Sequence, residues 1–372
     1  MKVGIVGLPN VGKSTLFNAI TNMKVLEANY PFATIQPNVG IVSVQDERLN
    51  FLANLFQSQK IIKTQIEFID IAGLVKNASK GEGLGNQFLN HIRDVDAICH
   101  VVKCFDDPNI IHVNDKVDPV DESITIETEL ILSDLEQIEK RLSKINRQKK
   151  NLLNKETLKE EDLLKKIKSN LEQDNNISQL NLNSQELKII KNFNLLSLKP
   201  MIYIGNFKEK DLSDLTNNSF FQKMSKHAQK KEREFIPVCI LLEKELSILN
   251  KKEKENFLSM YNLKNSALQE IIKKSYKLLG LQTYFTTGKT ETKAWSFYKG
   301  MTAPECGGII HSDFQKGFIK AEIFNFKDLI QNKNFVKIKE NGKLRLEGKN
   351  YLVQDGDIIT FYFNVSKQNK MK

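Results

Sequence analysis

The chain opens on an apolar run, Val3 to Val6, that stops at Gly7. A short β-branched run feeding a tight loop predicts a buried parallel strand, and Lys13 to Thr21 behind it reads as a helix. Apolar runs at Val39 to Val44, Ile66 to Ile71, Ala97 to Cys104, Pro200 to Gly205 and Phe235 to Leu241 predict further strands with helical stretches between them. Strands that alternate with helices imply right-handed crossovers and a mixed, mainly parallel sheet covered on both faces. The expected result is an α/β domain made of residues 1–123 and 197–280.

Between the strands at 97–104 and 200–205 the period changes. Ile131, Leu135, Ile138, Leu142 and Ile145 recur at helical spacing, and after a polar break Leu164, Ile167 and Leu171 do so again amid dense Lys and Glu. This is the seam of two antiparallel helices packed as a short coiled coil, an insertion expected over residues 124–196. It reads equally as an arm that docks a partner or as a structural insertion. Asn175 to Asn183 is polar and reads as a loop.

Past about Leu281 strand alternation returns. Thr283 to Thr286, Ala294 to Phe297, Phe318 to Phe324, Leu344 to Glu347 and Ile358 to Phe363 predict strands, with turns at Asn341-Gly342 and Asp355-Gly356 and a short helix at Phe326 to Gln331. A small α+β module over residues 281–365 follows from this, with a frayed tail after Ser366.

Composition narrows the class. A chain of 372 residues suits two or three domains, and 40% hydrophobic with 27% charged residues indicates a folded chain. No apolar stretch approaches the roughly 20 residues that cross a bilayer, and the strand pattern begins too early for a cleavable signal. The expected address is therefore cytoplasmic, with no membrane partner. Cys99, Cys104, Cys239 and Cys306 form no CxxC pair and read as reduced, buried thiols. The net charge of +10 fits a nucleic-acid or ribosome partner. It fits a lysine- and asparagine-rich surface equally well.

The chemistry concentrates at Gly7-Leu8-Pro9-Asn10-Val11-Gly12-Lys13-Ser14-Thr15. The pattern Gly-x4-Gly-Lys-Ser after a strand and before a helix is a phosphate loop. Its glycines let successive amides turn toward phosphate oxygens, and the helix N-terminus adds positive potential. The backbone from Asn10 to Thr15 is the expected cradle. Lys13 reaches the terminal phosphates and the Ser14 hydroxyl ligates Mg²⁺. Asp70-Ile71-Ala72-Gly73 supplies a second wall, with Asp70 facing the metal and the Gly73 amide sensing the γ-phosphate. Thr34 is the candidate second hydroxyl ligand, and the glycine-rich Lys80 to Gly85 suits a segment that changes conformation with the γ-phosphate.

The base loop reads Asn206-Phe207-Lys208-Glu209 where GTP-binding proteins carry Asn-Lys-x-Asp. Phe207 is expected to stack on a purine, and Asn206 to bond the base or pin the loop. Glu209 either turns away or keeps a guanine. Leu74 replaces the glutamine that orients water in many GTPases. Asn10 is then a candidate to hold a monovalent cation on the phosphates, and His112 a candidate polar group.

These motifs, with Ala28-Asn29-Tyr30-Pro31-Phe32, Gly81-Glu82-Gly83-Leu84-Gly85-Asn86 and the segment around His311-Ser312-Asp313-Phe314, resemble the YchF subfamily of the Obg-like ATPases over nearly the whole chain. The resemblance implies a P-loop NTPase G-type domain with a coiled-coil insertion and a C-terminal β-grasp (TGS) domain. It implies ATP preferred over GTP, Mg²⁺ dependence, K⁺ activation, catalytic involvement of a histidine like His112, and purine contacts at Asn206 and Phe207. It also implies association with the ribosome; rRNA contact and a monomeric state are further expectations for this chain. Two other readings stay open: a nucleotide-gated binding protein with incidental turnover, and a GTPase.

Overall fold

The computed structural model describes residues 1–22, 38–71, 84–107, 117–148, 155–173, 180, 182–260, 266–332 and 335–364. Its strands are β1 (Lys2–Val6), β2 (Val39–Ser43), β3 (Lys60–Ile62), β4 (Gln65–Asp70), β5 (Ala97–Lys103), β6 (Met201–Asn206), β7 (Phe235–Val238), β8 (Leu281–Thr287), β9 (Glu291–Tyr298), β10 (Phe318–Asn325), β11 (Arg345–Glu347) and β12 (Asp357–Phe363). They form two six-stranded sheets, ordered β2-β4-β1-β5-β6-β7 and β11-β10-β12-β8-β9-β3.

In the first sheet β1 pairs in parallel with β4 and β5, and β6 in parallel with β5 and β7. Every residue of β5 and of β6 is buried, as expected of central strands with helices over both faces. Burying each such Ile, Val or Leu contributes about 1.5–3 kcal/mol. The helix Lys13–Asn22 buries Leu16, Ala19 and Ile20 against this sheet.

The expected strand from Phe235 to Leu241 is cut short. Strand β7 ends at Val238, and a helix, Ile240–Leu246, begins two residues later. An apolar run of that length fits either element, and here a hydrogen bond from Ile240 N–H to the Asn206 side chain starts the helix.

The insertion is helical as the spacing predicts, and larger than two helices. Pro119–Gln148 and Lys155–Glu172 bury Ile138, Ile145, Leu164, Ile167 and Leu171 in one cluster. The pairs Arg141–Glu160 at 2.6 Å and Glu139–Lys168 at 2.7 Å run in opposite order, so the helices are antiparallel. A third helix, Ser184–Phe193, adds Ile190 to the same core and is opened by a capping box of Asn183 and Glu186. The first helix starts at Pro119, within the stretch 1–123 read from sequence as nucleotide domain.

Contacts divide the described chain into two compact units. The first holds Met1–Val42 and Glu67–Ile271, and the second holds Ser43–Ile66 and Ile272–Lys372. The sequence reading placed residues 43–66 in the nucleotide domain. The structure groups them with the C-terminal module instead. Strand β3 pairs in parallel with β9, and the helix Glu47–Phe56 buries Leu49 and Leu52 beside Phe285, Phe324 and Ile358. Arg48 bonds both Asp46 and Asp355 there, at 2.7 Å each, and these carboxylates hold its guanidinium charged despite burial. Within the second sheet β10 is antiparallel to β11 and β12, β12 is parallel to β8, and β8 is antiparallel to β9.

All four cysteines are free and buried. Among the described residues no helix is long and apolar enough to cross a membrane.

Candidate functional site

The phosphate loop leaves β1 at Gly7. A Cβ there would lie 2.5 Å from the Val101 carbonyl oxygen, so only glycine lets the loop start this close to β5. Asn10 turns in the left-handed region at φ 64° and is exposed at the loop's tip. Gly12 needs φ 105°, and a Cβ on it would stand 2.9 Å from the Asn206 side-chain nitrogen. The first bond of the following helix runs from Leu16 N–H to Gly12 O at 2.9 Å. The amides of Lys13, Ser14 and Thr15 therefore precede the helical ladder, as an anion site at a helix start requires.

Lys13 is only 7% exposed, and its ammonium donates to Leu8 O at 2.7 Å. Burial lowers its pKa, and the charge of Asp70 works against that shift. Asp70 ends β4 in register with Ile5 and donates its N–H to Asn38 O at 3.0 Å. Its Oδ1 is buried without a hydrogen-bond partner. A buried carboxylate oxygen with no donor is unfavourable, and a hard divalent cation satisfies such an oxygen. Asp70, with the exposed Ser14 hydroxyl at the helix start, thus fits Mg²⁺. Thr34, Gly73, Leu74, His112 and most of the glycine-rich 80–85 segment lie outside the described residues.

The base side departs from the sequence reading. Phe207 is 1% exposed, with its ring centroid 6.4 Å from those of Phe221 and Phe235. Its ring belongs to an aromatic core cluster and has no open face for a purine, which corrects the stacking expectation. Asn206 pins the loops: its Nδ2 donates to Val11 O at 3.0 Å and its Oδ1 accepts from Ile240 N–H at 3.2 Å. Glu209 is exposed.

Sequence reasoning missed a set of buried polar residues around β5. Lys103, at its C-terminal end, is 1% exposed. The root of the long helical insertion packs nearby, with Glu122 accepting from the Lys103 backbone N–H at 3.3 Å. Further along the same helix, Glu127 accepts from the Tyr203 hydroxyl and pairs with Arg233 at 2.9 Å. Burial pushes the Glu127 carboxyl up, but His227, Arg233 and Tyr203 together outweigh it and hold the pKa at about 2. His100 is wholly buried on β5 with neither ring nitrogen hydrogen-bonded. Burial brings its pKa down to about 4. For His100 and Lys103 the sequence signal was a titratable residue inside an otherwise apolar strand.

Known proteins resemble this chain over nearly its whole length. Residues 2–192 match a family described as "50S ribosome-binding GTPase". Residues 281–364 match the C-terminal family of YchF GTPases, described as a protein of unknown function. The "Ribosome-binding ATPase YchF" of Bacillus subtilis is 50% identical over 98% of this chain and 100% of its own length. The protein of the same name from Escherichia coli O157:H7 is 45% identical, covering 98% and 99%. The solved "YchF GTPase" of Schizosaccharomyces pombe superposes with a TM-score of 0.88 at 37% identity, covering 97% of each chain.

Proposed function

The chain belongs to the YchF family, and from that premise we propose that it is a Mg²⁺-dependent, cytoplasmic ATPase switch that acts on the ribosome. The observation that carries the reading is the pairing of a complete phosphate loop with a buried, partnerless carboxylate oxygen on Asp70. Amides of the Gly7–Thr15 loop cradle the phosphates. The Lys13 ammonium turns from Leu8 O to the phosphate oxygens, where its charge is worth most because the site is dry. Asp70 and Ser14, with Thr34, are the residues assigned to the metal, which supplies charge neutralisation at the β- and γ-phosphates when bound. The Gly73 amide is assigned to the γ-phosphate.

With leucine at position 74, the attacking water needs another source of stabilisation. We assign that role to a monovalent cation held at Asn10, exposed at the loop tip, with His112 as a second candidate. ATP is favoured over GTP because a longer glutamate, Glu209, stands exposed where GTP-binding proteins carry the guanine-reading aspartate. Relatives bear the names ATPase and GTPase alike, so the base is worth direct measurement.

The test is a pair of measurements on the full chain. Competition of ATP and GTP for one site, with turnover followed in potassium and in sodium buffer, should show ATP bound more tightly and hydrolysed faster in potassium. Co-sedimentation with ribosomal subunits should differ between ATP and ADP. Tight GTP preference would replace the base assignment, and nucleotide-independent sedimentation would remove the switch.

A further inference from the structure

The Lys103 ammonium is buried and has no hydrogen-bond partner. Leaving a charged group unpaired in a dry site is strongly unfavourable, so its surroundings indicate what completes it. In a parallel pair, residues in register send their side chains to the same face of the sheet. Lys103 is in register with Asn206, whose side chain reaches Val11 of the phosphate loop. His100, three residues earlier on β5, is in register with Tyr203 and meets that ring at 5.7 Å, which marks the opposite face. Lys103 therefore belongs to the face of the sheet that carries the phosphate loop. Its ammonium lies 5.1 Å from the centre of the partly exposed Phe105 ring, and Lys208 approaches the same ring at 5.5 Å. Glu122 bonds the Lys103 backbone, not its ammonium.

Resting on the nucleotide reading above, we infer that Lys103 is a nucleoside-binding residue whose ammonium donates to an acceptor on the purine ring or ribose. The location follows from strand ends: in open α/β sheets ligands lie beyond the carboxyl ends of the strands, and Lys103 and Asn206 are the last residues of β5 and β6. The chemistry follows from charge. An ammonium offers only donors, and the purine and ribose present several acceptors, whereas the phosphates are already served by the loop amides and Lys13. Lys103 also occupies the side of the site where the expected lysine of the base loop has been replaced by Phe207, which is buried among aromatic rings.

The experiment uses the full chain, a Lys103→Met variant and titration calorimetry in Mg²⁺ with ATP and with inorganic tripolyphosphate. The expected result is a loss of roughly 10- to 100-fold in ATP affinity, the size of one hydrogen bond to a charged group, with tripolyphosphate binding unchanged. Deaza-ATP analogues (1-, 3- and 7-) and 2′- and 3′-deoxy-ATP then locate the acceptor. The analogue that weakens binding to wild type but not to the variant has lost the atom Lys103 contacts.

Without ligand the variant should melt at or above the wild-type temperature, because an unpaired buried charge has been replaced by an apolar chain of similar length. Unchanged ATP affinity would overturn the inference. So would an equal loss for tripolyphosphate, coupling to none of the analogues, or a melting temperature several degrees lower, which would assign the lysine to the fold. A wild-type protein that bound no triphosphate would instead sink the nucleotide reading itself. A wild type that preferred GTP would leave the Lys103 test intact, read with GTP.

Discussion

The phosphate side and the base side of the proposed nucleotide site are built from different materials. On the side assigned to phosphate the backbone sets the shape, and side chains are limited to what that shape permits: no Cβ at Gly7, a left-handed turn at Asn10, a positive φ at Gly12. On the base side the side chains do the work, and most of it is structural. Asn206 ties Val11 to Ile240, Phe207 fills an aromatic cluster, and Lys103 alone among the residues described there carries a buried group with nothing bonded to it. A backbone cradle can be made in few ways, so its motif is rigid. A side-chain pocket can be rebuilt from other residue types, so its motif drifts.

The largest expected effect breaks the phosphate side. Lys13→Ala removes the buried cation assigned to the phosphate tail and should lower kcat/KM for ATP by roughly 100- to 1,000-fold, as loss of one preorganised charge-stabilising donor does. Binding of tripolyphosphate should weaken with it. The contrast with Lys103→Met is the point of the comparison, since only the phosphate-side lysine should matter to a ligand with no nucleoside. Equal tripolyphosphate affinity in wild type and Lys13→Ala would mean that the loop does not grip phosphate through this residue.

That asymmetry also explains what the sequence made legible. The strand–loop–helix at Val3 to Thr21 was readable because its period, its glycines and its lysine all point to one structure. The helical seam through Ile138 and Ile167 was readable for the same reason, whereas the third helix, with Ile190 as its one buried residue, was too weakly patterned to see. The apolar run past Phe235 fits strand and helix alike, and only the bond between Ile240 and Asn206, distant in sequence, ends the strand at Val238. Assigning residues 43–66 to the C-terminal module required knowing that Lys60–Ile62 pairs with β9, a long-range choice that local pattern does not encode. In the site, Lys13 could be placed from its motif, while the burial of Phe207 could not, because phenylalanine serves core and base stack equally well.

The next effect concerns the shared support of both sides. Strand β5 carries Lys103 on one face and His100 on the other, in register with Val6 just before the phosphate loop. Unfolded, an imidazole takes its proton near 6.5, and folded His100 takes it only near 4, chiefly through burial and further through Arg233, His227 and Lys13, with Glu127 opposing. Between those values the unfolded chain binds more protons, so stability falls as pH is lowered, by roughly 3 kcal/mol in all. Glu127 adds to the loss below about 4.5, because its folded pKa is depressed and its contribution disappears as the carboxylate protonates. Asp134 and Glu243, whose pKa values burial raises, work in the opposite direction. Denaturant melts at pH 7, 5.5 and 4.5 for wild type and His100→Leu isolate the histidine as a difference. The variant should lose less stability on acidification, and parallel curves would show that this ring does not titrate as its burial requires.

The smallest effect sharpens the base side. If Phe207 were a stacking platform, shortening it would cost nucleotide affinity, since a base on an aromatic face contributes about 1–3 kcal/mol. Its 1% exposure and its rings at 6.4 Å predict something else. Phe207→Leu trims a core side chain and keeps an apolar one, so it should cost about 1 kcal/mol of folding stability and lower the melting temperature by a few degrees. The ATP dissociation constant should stay within about twofold, because the Asn206 clamp and the loop amides are untouched. A tenfold loss of ATP affinity at unchanged melting temperature would return Phe207 to the purine, and the base side would then be read by an aromatic ring as well as by Lys103.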